Sequence, residues 1–216
     1  MIVAVLGASG RTGRLVVDAS ILAGHRVRVL VRDPKRGPAP PPSIDVILGD
    51  PTAPDAVARV LDGADAAISA LGPRPGSDVV NLCSTATRHV ITATRHVTTV
   101  ASERAAFRYV VVSAAGVQNF VDDSPLLFRI PSIIVRTLLR ASYRDKDDEA
   151  AALIASHLDW VALRPPALTD GPAKGSVQSH RSRSGGGRIP RAGLAEFAVR
   201  MLVDPTYIRQ APFVWA

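Results

Sequence analysis

Short apolar runs rich in Val and Ile recur along this chain and alternate with segments of helical or turn-like pattern. Runs of this kind are typical of strands buried on both faces of a parallel sheet. We expect strands at Ile2–Leu6, Arg26–Val31, Asp45–Leu48, Ala66–Ser69, Tyr109–Ser113 and Trp160–Arg164. We expect helices at Arg11–Ala23, Pro54–Leu61, Asp78–Ala105, Leu126–Ala141, Lys146–Ser156 and Ala192–Val203. The alternation predicts a doubly wound parallel α/β sheet, Rossmann-like in architecture.

Two segments rich in residues that disfavour helices and strands interrupt this alternation. The sequence PAPPP at Pro38–Pro42 excludes a helix or a central strand, because proline lacks the N–H and fixes φ, so an exposed extended connector is expected there. Residues 165–190 are rich in Gly, Pro and Ser, and we expect them to form a loop that shapes a substrate pocket. At 216 residues, the chain is predicted to be a single domain, 1–216, with a small C-terminal lobe on the substrate side.

A tandem repeat lies within the third predicted helix: TATRHVI at 85–91 is followed at once by TATRHVT at 92–98. Seven residues are about two helical turns, so the second copy preserves the buried face with a drift of only about 20°. Val90 and Val97 then share one stripe, while Arg88 and Arg95, and His89 and His96, share another. One interpretation is a lengthened surface helix. The other is a helix extended to pair with a partner subunit, which would make a homodimer.

A glycine-rich loop, GASGRTG, stands between the first predicted strand and the first predicted helix. In this context Gly7 permits the tight turn, Gly10 lets the backbone approach a pyrophosphate, and Gly13 allows close packing of helix and strand. The helix N-terminus offers free N–H groups and a positive dipole end to phosphates. The loop residues predicted to bind a cofactor are Gly7, Ser9, Gly10, Arg11, Thr12 and Gly13. The alternative is a purely structural strand-to-helix turn.

The spacing Gly-x-x-Gly-x-x-Gly is the form seen in extended and atypical short-chain dehydrogenases, and later segments agree with it. These segments are VRVLVRDP, GDPTAPDAVARVLDGADAAISALG, YVVVSAAG and SHLDWVALRPPALTDGP. Together they resemble the NmrA-like and NAD(P)H-binding atypical short-chain dehydrogenases, and among these the small flavin and biliverdin reductases. The resemblance covers nearly the whole chain and implies a nicotinamide cofactor.

The end of the second predicted strand decides which cofactor is expected. A ribose 2′-phosphate calls for a cation there, and Arg32 occupies that place, with Lys35, Arg36 and Arg11 adding positive charge. NADP(H) is therefore the predicted cofactor, and an exposed charged turn without a ligand is the alternative. The resemblance also implies a set of further contacts: Asp50 near the adenine, Leu71 and Gly72 along the cofactor, and Pro165 and Pro166 beside the nicotinamide.

The candidate catalytic residues are Ser113, Tyr143 and Lys146. Ser113 ends the fifth predicted strand and matches the serine of the family; bonding to local backbone is the alternative role. The Tyr-x-x-x-Lys pair of ordinary short-chain dehydrogenases is absent, and Tyr143 and Lys146 are three residues apart, neighbours on a helix with altered geometry. The small biliverdin and flavin reductases have a histidine after the paired prolines, where this chain has Ala167, which argues against copying their substrate.

Charge and composition narrow the range of functions that the chain could have. The net charge of +7 attracts nucleic acid, membrane surfaces and anionic small molecules alike. A local cluster of Arg181, Arg183, Arg188 and Arg191 lacks interleaved aromatic residues, and we expect a solvated mobile loop there. A single cysteine, Cys83, excludes an internal disulfide. Neither HExxH nor GxSxG occurs, so no metal site and no hydrolase are expected. The first residues resemble neither a signal peptide nor a membrane span, which favours a cytoplasmic protein.

The resulting prediction is an NADPH-dependent oxidoreductase acting on a small carbonyl, quinone or flavin-like substrate, with no nucleic acid or membrane partner. The alternative is an NmrA-like redox sensor that binds NADP(H) and turns nothing over. A nucleic-acid binder that uses the basic charge is a third and weaker interpretation.

Overall fold

Six parallel strands form a single sheet in the computed structural model. The structure describes residues 1–33, 43–72, 81–100, 107–120, 140–173, 175–185 and 187–216, with the backbone alone at 96–100. The strands are β1 (Ile2–Leu6), β2 (Arg26–Val31), β3 (Ile44–Leu48), β4 (Ala66–Ser69), β5 (Arg108–Val112) and β6 (Asp159–Leu163). Their order in the sheet is β3-β2-β1-β4-β5-β6. The chain adds strands outward on one side from β1 to β3 and then on the other side from β4 to β6, and a sheet of this kind has a crevice between β1 and β4 at the carboxyl ends of the strands. The predicted fold class is confirmed.

Five helices cover this sheet in the described part of the chain. They are α1 (Arg11–Leu22), α2 (Pro54–Leu61), α3 (Leu82–Val100), α4 (Arg140–Ile154) and α5 (Arg191–Arg200). The predicted start of α4 at Lys146 was wrong, because the buried face of this helix carries charged residues and so shows no apolar period. The helix predicted at Leu126–Ala141 lies outside the described residues except for its last two positions, which belong to α4. The connector predicted at Pro38–Pro42 also lies outside them.

The helices pack on the two faces of the sheet in two groups. Helices α1 and α5 cover one face, and α2, α3 and α4 cover the other. Successive side chains of β1 point to opposite faces of the sheet. Val3 and Val5 lie in the core beneath α1 and α5, whereas Ala4 and Leu6 lie in the core on the opposite face. Burial on both faces explains why the strands are apolar runs without alternating polar positions.

The chain after β6 contains short strands that the sequence analysis did not predict. These are β7 (Leu168–Thr169), β8 (Gln178–His180), β9 (Ile189–Pro190) and β10 (Phe213–Trp215). Strand β7 pairs with β9, and β8 pairs with β10. Strands of two or three residues are too short to produce a periodic pattern. The residues around β10 also run beside β6, through bridges from Val161 to Gln210 and from Arg164 to Phe213.

Both copies of the tandem repeat are helical and belong to α3. Val90 is buried and Arg88 and Arg95 are exposed, as the predicted stripes require. Thr87 and Thr94 occupy the same position in the two copies, and both are fully buried. The side chains of His96 and Val97 lie outside the description.

Candidate functional site

The glycine loop folds tightly against the neighbouring strand. Gly7 has φ +87°, and a Cβ at this position would lie 2.9 Å from the carbonyl carbon of Ala70. A Cβ on Gly13 would lie 2.6 Å from the carbonyl carbon of Gly7 and would collide with its oxygen. Neither position has room for a side chain, so both glycines are required by the close approach of loop, helix and sheet.

The N-terminus of α1 is a cradle for an anion. Gly10 is the N-cap, in an extended conformation, and its amide donates to the carbonyl oxygen of Gly7 at 2.9 Å. It has no side chain to cap the helix, and the first turn contains no acidic residue. The amides of the first helical positions, Arg11, Thr12 and Gly13, have no partner within the helix and suit a phosphate. Because this helix begins at the crevice between β1 and β4, the observed loop fits a dinucleotide.

Arg32 and Asp50 lie side by side at the carboxyl ends of β2 and β3. Arg32 Nη1 is 3.8 Å from Asp50 Oδ2, and both side chains are partly exposed. Asp50 also accepts hydrogen bonds from the Thr52 amide at 2.8 Å and the Thr52 hydroxyl at 2.6 Å. Burial opposes ionisation of Asp50, but the Thr52 hydrogen bonds and the Arg32 charge together hold its pKa below the usual value. Arg36 lies outside the described residues.

Arg11 contacts the segment that follows β6. Its guanidinium forms an ion pair with Asp170, which immediately follows β7. Arg191, the first residue of α5, lies on the other oxygen of the same carboxylate, with Nη1 2.8 Å from Oδ1. Asp170 therefore joins the glycine loop to α5. Arg191 had been predicted to lie in a solvated mobile loop; this was wrong, because its side chain is largely buried in this pairing.

The loops after β5 and β6 are joined at the same edge of the sheet. Ser113 is buried at the end of β5, and its amide donates to the carbonyl oxygen of Leu163 at 2.8 Å. The Ala115 amide donates to the carbonyl oxygen of Pro165 at 3.1 Å. Pro166 is partly exposed beside this junction. Leu71 and Gly72 follow β4 at this edge, so the structure brings these predicted residues to one end of the sheet.

A buried arginine supports this junction from below. Arg164, just before the paired prolines, is fully buried, and its Nη2 donates to the carbonyl oxygens of Ala115 at 3.3 Å and Val117 at 3.2 Å. Its guanidinium stacks on the ring of Phe213, 3.9 Å from the centroid. The hydrogen bonds hold the loop that follows Ser113, and the stack on Phe213 holds the guanidinium in place.

Tyr143 and Lys146 lie on α4, and the structure gives them different surroundings. The Tyr143 ring packs on Gly116, where a Cβ would lie 2.7 Å from its Cε1 atom. Lys146 is buried, and its Nζ donates to the carbonyl oxygens of Leu71 at 3.3 Å and Val112 at 3.0 Å. Tyr143 is partly exposed at the same end of the helix.

Lys146 belongs to a buried polar cluster of four residues, Thr87, Tyr109, Lys146 and Glu149. Lys146 Nζ is 2.8 Å from Glu149 Oε2. The Thr87 hydroxyl donates to Glu149 Oε1 at 3.1 Å, which leaves its oxygen to accept from the Tyr109 hydroxyl, also at 3.1 Å. Burial, followed by the charge of Glu149, raises the pKa of Tyr109 above its ordinary value. The cluster is therefore a continuous chain of hydrogen bonds between α3, α4 and β5.

Two further buried groups lie beside this cluster. Asp145 accepts hydrogen bonds from the amides of Cys83 at 2.8 Å and Ser84 at 2.9 Å, and so caps the first turn of α3 from another helix. Burial raises the pKa of the Cys83 thiol to about 12. Cys83 is therefore a protonated, buried thiol at neutral pH.

The sequence analysis missed Asp170, Glu149, Thr87 and Arg164. Glu149 and Thr87 carry no signal of their own, because their partners come from other elements of the fold. Arg164 stands within the LRPP segment that was identified, and an arginine in an otherwise apolar strand is a sign of a buried, partnered cation. Asp170 follows in the same segment.

Two features are absent from the part of the chain that the structure describes. No group of three or more His, Cys, Asp or Glu residues is placed there to hold a metal ion. Within the same residues, no helix combines the length and apolar character needed to cross a membrane.

Comparisons with known proteins agree with this geometry. Residues 7–205 match the family described as NAD(P)H-binding. An uncharacterised chloroplastic protein of Arabidopsis thaliana is 27% identical over 207 residues, covering 93% of this chain and 71% of that protein. ChuY, an anaerobilin reductase of Escherichia coli O157:H7, has 20% identity and a TM-score of 0.76, over 99% of this chain and 96% of that one. A short-chain dehydrogenase/reductase of Veillonella parvula has 17% identity and a TM-score of 0.77, over 99% and 93%.

Proposed function

Since this chain belongs to the NAD(P)H-binding family, we propose that it is an NADPH-dependent oxidoreductase that reduces a small carbonyl, quinone or flavin-like acceptor. The preference for NADPH over NADH is proposed from the position of Arg32. It lies at the carboxyl end of β2, beside the strand that leads into the glycine loop, and its guanidinium is half exposed. A cation at this position suits a ribose 2′-phosphate, whereas a free 2′-hydroxyl calls for an acceptor.

In this proposal the amides at the start of α1 hold the pyrophosphate, and Asp50 orients Arg32 toward the 2′-phosphate. Because the Arg32–Asp50 pair is exposed, it is held weakly and can exchange partners when a phosphate arrives. Bound NADPH supplies the hydride. The protein then has to hold the acceptor over the nicotinamide and exclude water.

Ser113 is the residue we assign to the acceptor. It stands at the end of β5, where the loop held by Arg164 begins. A serine hydroxyl can donate a hydrogen bond to the acceptor oxygen as negative charge develops there, which stabilises the transition state. Tyr143, partly exposed on α4, is the candidate for the opposite wall of the acceptor pocket.

Cofactor titration tests the choice of NADPH. A charge-assisted bond from Arg32 to the 2′-phosphate, worth ~1.5 to 3 kcal/mol, makes NADPH bind roughly 10- to 150-fold more tightly than NADH. Arg32→Ala should remove this difference. Arg26→Ala is the matched control, because Arg26 lies at the opposite end of the same strand, pairs with Asp45 and should leave the discrimination intact. Equal affinities of the wild type for the two cofactors would reject NADPH preference.

A turnover panel tests the activity. Quinones, flavins and aldehydes should support NADPH oxidation, and anaerobilin is included because the similar ChuY structure is an anaerobilin reductase. Ser113→Ala should slow turnover more than tenfold and leave NADPH affinity nearly unchanged. If no acceptor is reduced although NADP(H) binds tightly and selectively, the protein is a cofactor sensor and the enzyme proposal fails. Turnover that Ser113→Ala does not change would remove Ser113 from the site.

A further inference from the structure

A buried lysine joins the ends of two strands at the edge where the acceptor is proposed to bind. Lys146 Nζ contacts the carbonyl oxygens of Leu71 and Val112 at 3.3 and 3.0 Å, and Glu149 Oε2 at 2.8 Å. A lysine ammonium has three N–H donors and no acceptor. These three acceptors therefore use all of its donors and leave none for a substrate.

The two carbonyls stand one residue before the residues that border the site. Val112 precedes Ser113, and Leu71 precedes Gly72. The pairing of β4 with β5 ends at Ser69 and Val111. Beyond this point the backbones of the two strands are bridged by the ammonium of Lys146, which thus continues their connection into the loops.

Glu149 and Thr87 determine where the ammonium lies. Glu149 is buried and shares its two carboxylate oxygens between Lys146 and the Thr87 hydroxyl. Thr87 is in turn bonded to the Tyr109 hydroxyl, on the middle of β5. The position of Lys146 is therefore defined by α3, α4 and β5 together.

We propose that Lys146 is a positioning residue, which sets the Leu71–Gly72 and Val112–Ser113 loops around the nicotinamide, and that it is not the proton donor. The identity of the ligand in this inference rests on the proposed function. The arrangement of the two loops does not, because it is a property of the protein without cofactor.

The charge state of Lys146 agrees with this role. Burial alone would lower the pKa of its ammonium, but the charge and hydrogen bond of the facing Glu149 carboxylate outweigh this and raise the pKa above its ordinary value. Cys83, Asp145 and Tyr109 are the other titratable groups packed nearby. An ammonium that holds its protons more firmly than usual is a poor general acid and a good structural donor.

The test uses variants of increasing severity. Lys146→Met removes the three donors and is the direct variant. Lys146→Met/Glu149→Leu removes the ion pair as a whole and should fold even where the single variant does not. Thr87→Val disturbs the cluster mildly. Thr94→Val is the matched control, because Thr94 is buried at the same repeat position but bonds to the carbonyl oxygens of Val90 and Ile91 in its own helix.

The first measurement is amide hydrogen exchange without cofactor. Peptides covering 69–72 and 111–115 should exchange at least about tenfold faster in Lys146→Met/Glu149→Leu, and faster to a smaller extent in Thr87→Val. Thr94→Val should match the wild type. Unchanged exchange in the double variant would overturn the inference, whatever the ligand proves to be.

The second measurement is cofactor binding. The double variant should bind NADPH and NADH more weakly by the same factor, about tenfold or more, so that the ratio of their dissociation constants is unchanged. The Arg32→Ala variant should instead change that ratio. If the wild type binds neither cofactor, the proposed function fails, and the exchange experiment alone decides whether Lys146 positions the loops.

The pH profile of turnover separates positioning from proton transfer. With Lys146 as a positioning residue, the variants should lower kcat and keep the shape of the kcat–pH profile. Loss of one limb of that profile, together with unchanged dissociation constants, would identify Lys146 as the proton donor and overturn the inference.

Discussion

Ion pairs occur at two depths along the same edge of this sheet. In the rim pairs, Arg32–Asp50 and Arg11–Asp170, the side chains are 47% and 39%, and 68% and 64%, exposed. In the Lys146–Glu149 pair they are 9% and 1% exposed. Exposed pairs contribute about 0–1 kcal/mol and are screened by salt, whereas breaking a buried pair costs about 3–5 kcal/mol. The rim pairs are therefore suited to exchange with a ligand, and the buried pair is part of the framework.

The largest expected effect is on the buried pair. Lys146→Met leaves the Glu149 carboxylate buried without a cation, so the free energy of unfolding should fall by about 3–5 kcal/mol. Urea denaturation measures this. Lys146→Met/Glu149→Leu should recover most of the loss, because it removes the uncompensated charge. A single variant that loses less than about 1 kcal/mol would place the buried pair in the same class as the rim pairs.

The glycine loop gives the next largest effect. Gly13→Ala forces a methyl group against the carbonyl of Gly7, and overpacking of this kind costs about 1–3 kcal/mol. Cofactor binding should be lost as well, because the cradle has to open. Gly72→Ala is the control for unfolding alone: it lies at the same edge, and nothing is within 4 Å of the added Cβ. Equal effects of the two substitutions on urea unfolding would show that the loop is not tightly packed.

Cys83 reports on the buried region through pH. Its pKa is raised to about 12 in the folded protein, against about 8.5 in an unfolded chain. The unfolded chain therefore loses the thiol proton first, and stability is complete below about pH 8.5 and falls as the pH rises toward 12. Between about pH 8.5 and pH 10, the wild type should lose about 1–2 kcal/mol more than Cys83→Ala. Parallel losses in the two proteins, measured by urea unfolding, would argue that the thiol titrates normally.

The smallest effect is expected at the rim. Asp170→Asn should change the free energy of unfolding by about 1 kcal/mol or less, because Asp170 and Arg11 are largely exposed and the asparagine oxygen can still accept a hydrogen bond from the more buried Arg191. It leaves Arg11 and Arg191 unneutralised beside the glycine loop, so NADPH should bind about two- to fivefold more tightly at low salt, and the gain should vanish at high salt. Weaker binding in titrations would instead mean that Asp170 itself contacts the cofactor.

The six strands of the central sheet could be predicted to within one residue, because a sheet buried on both faces leaves apolar runs that are separated by turn residues; the short strands β7 to β10 could not. The glycine loop was predictable too, since Gly7 and Gly13 each have a local steric reason. The role of Lys146 could not be predicted from the sequence. Its spacing from Tyr143 suggested catalysis, but its partners Leu71 and Val112 lie 75 and 34 residues away, and only the folded chain brings them together. Asp170, 159 residues from Arg11, was missed for the same reason.

The tandem repeat in α3 has a consequence for how this gene can change. Each residue turns a helix by roughly 100°, so gaining seven codons at once returns the later residues nearly to their former direction, while gaining one or two would turn them away from the core. The two copies differ in their hydrogen bonds: Thr87 bonds to Glu149 in the buried polar cluster, and Thr94 bonds within its own helix. A duplication in the coding sequence therefore lengthens this helix without changing which face packs on the core, and among the side chains that the structure describes only the first copy contributes to the buried polar cluster.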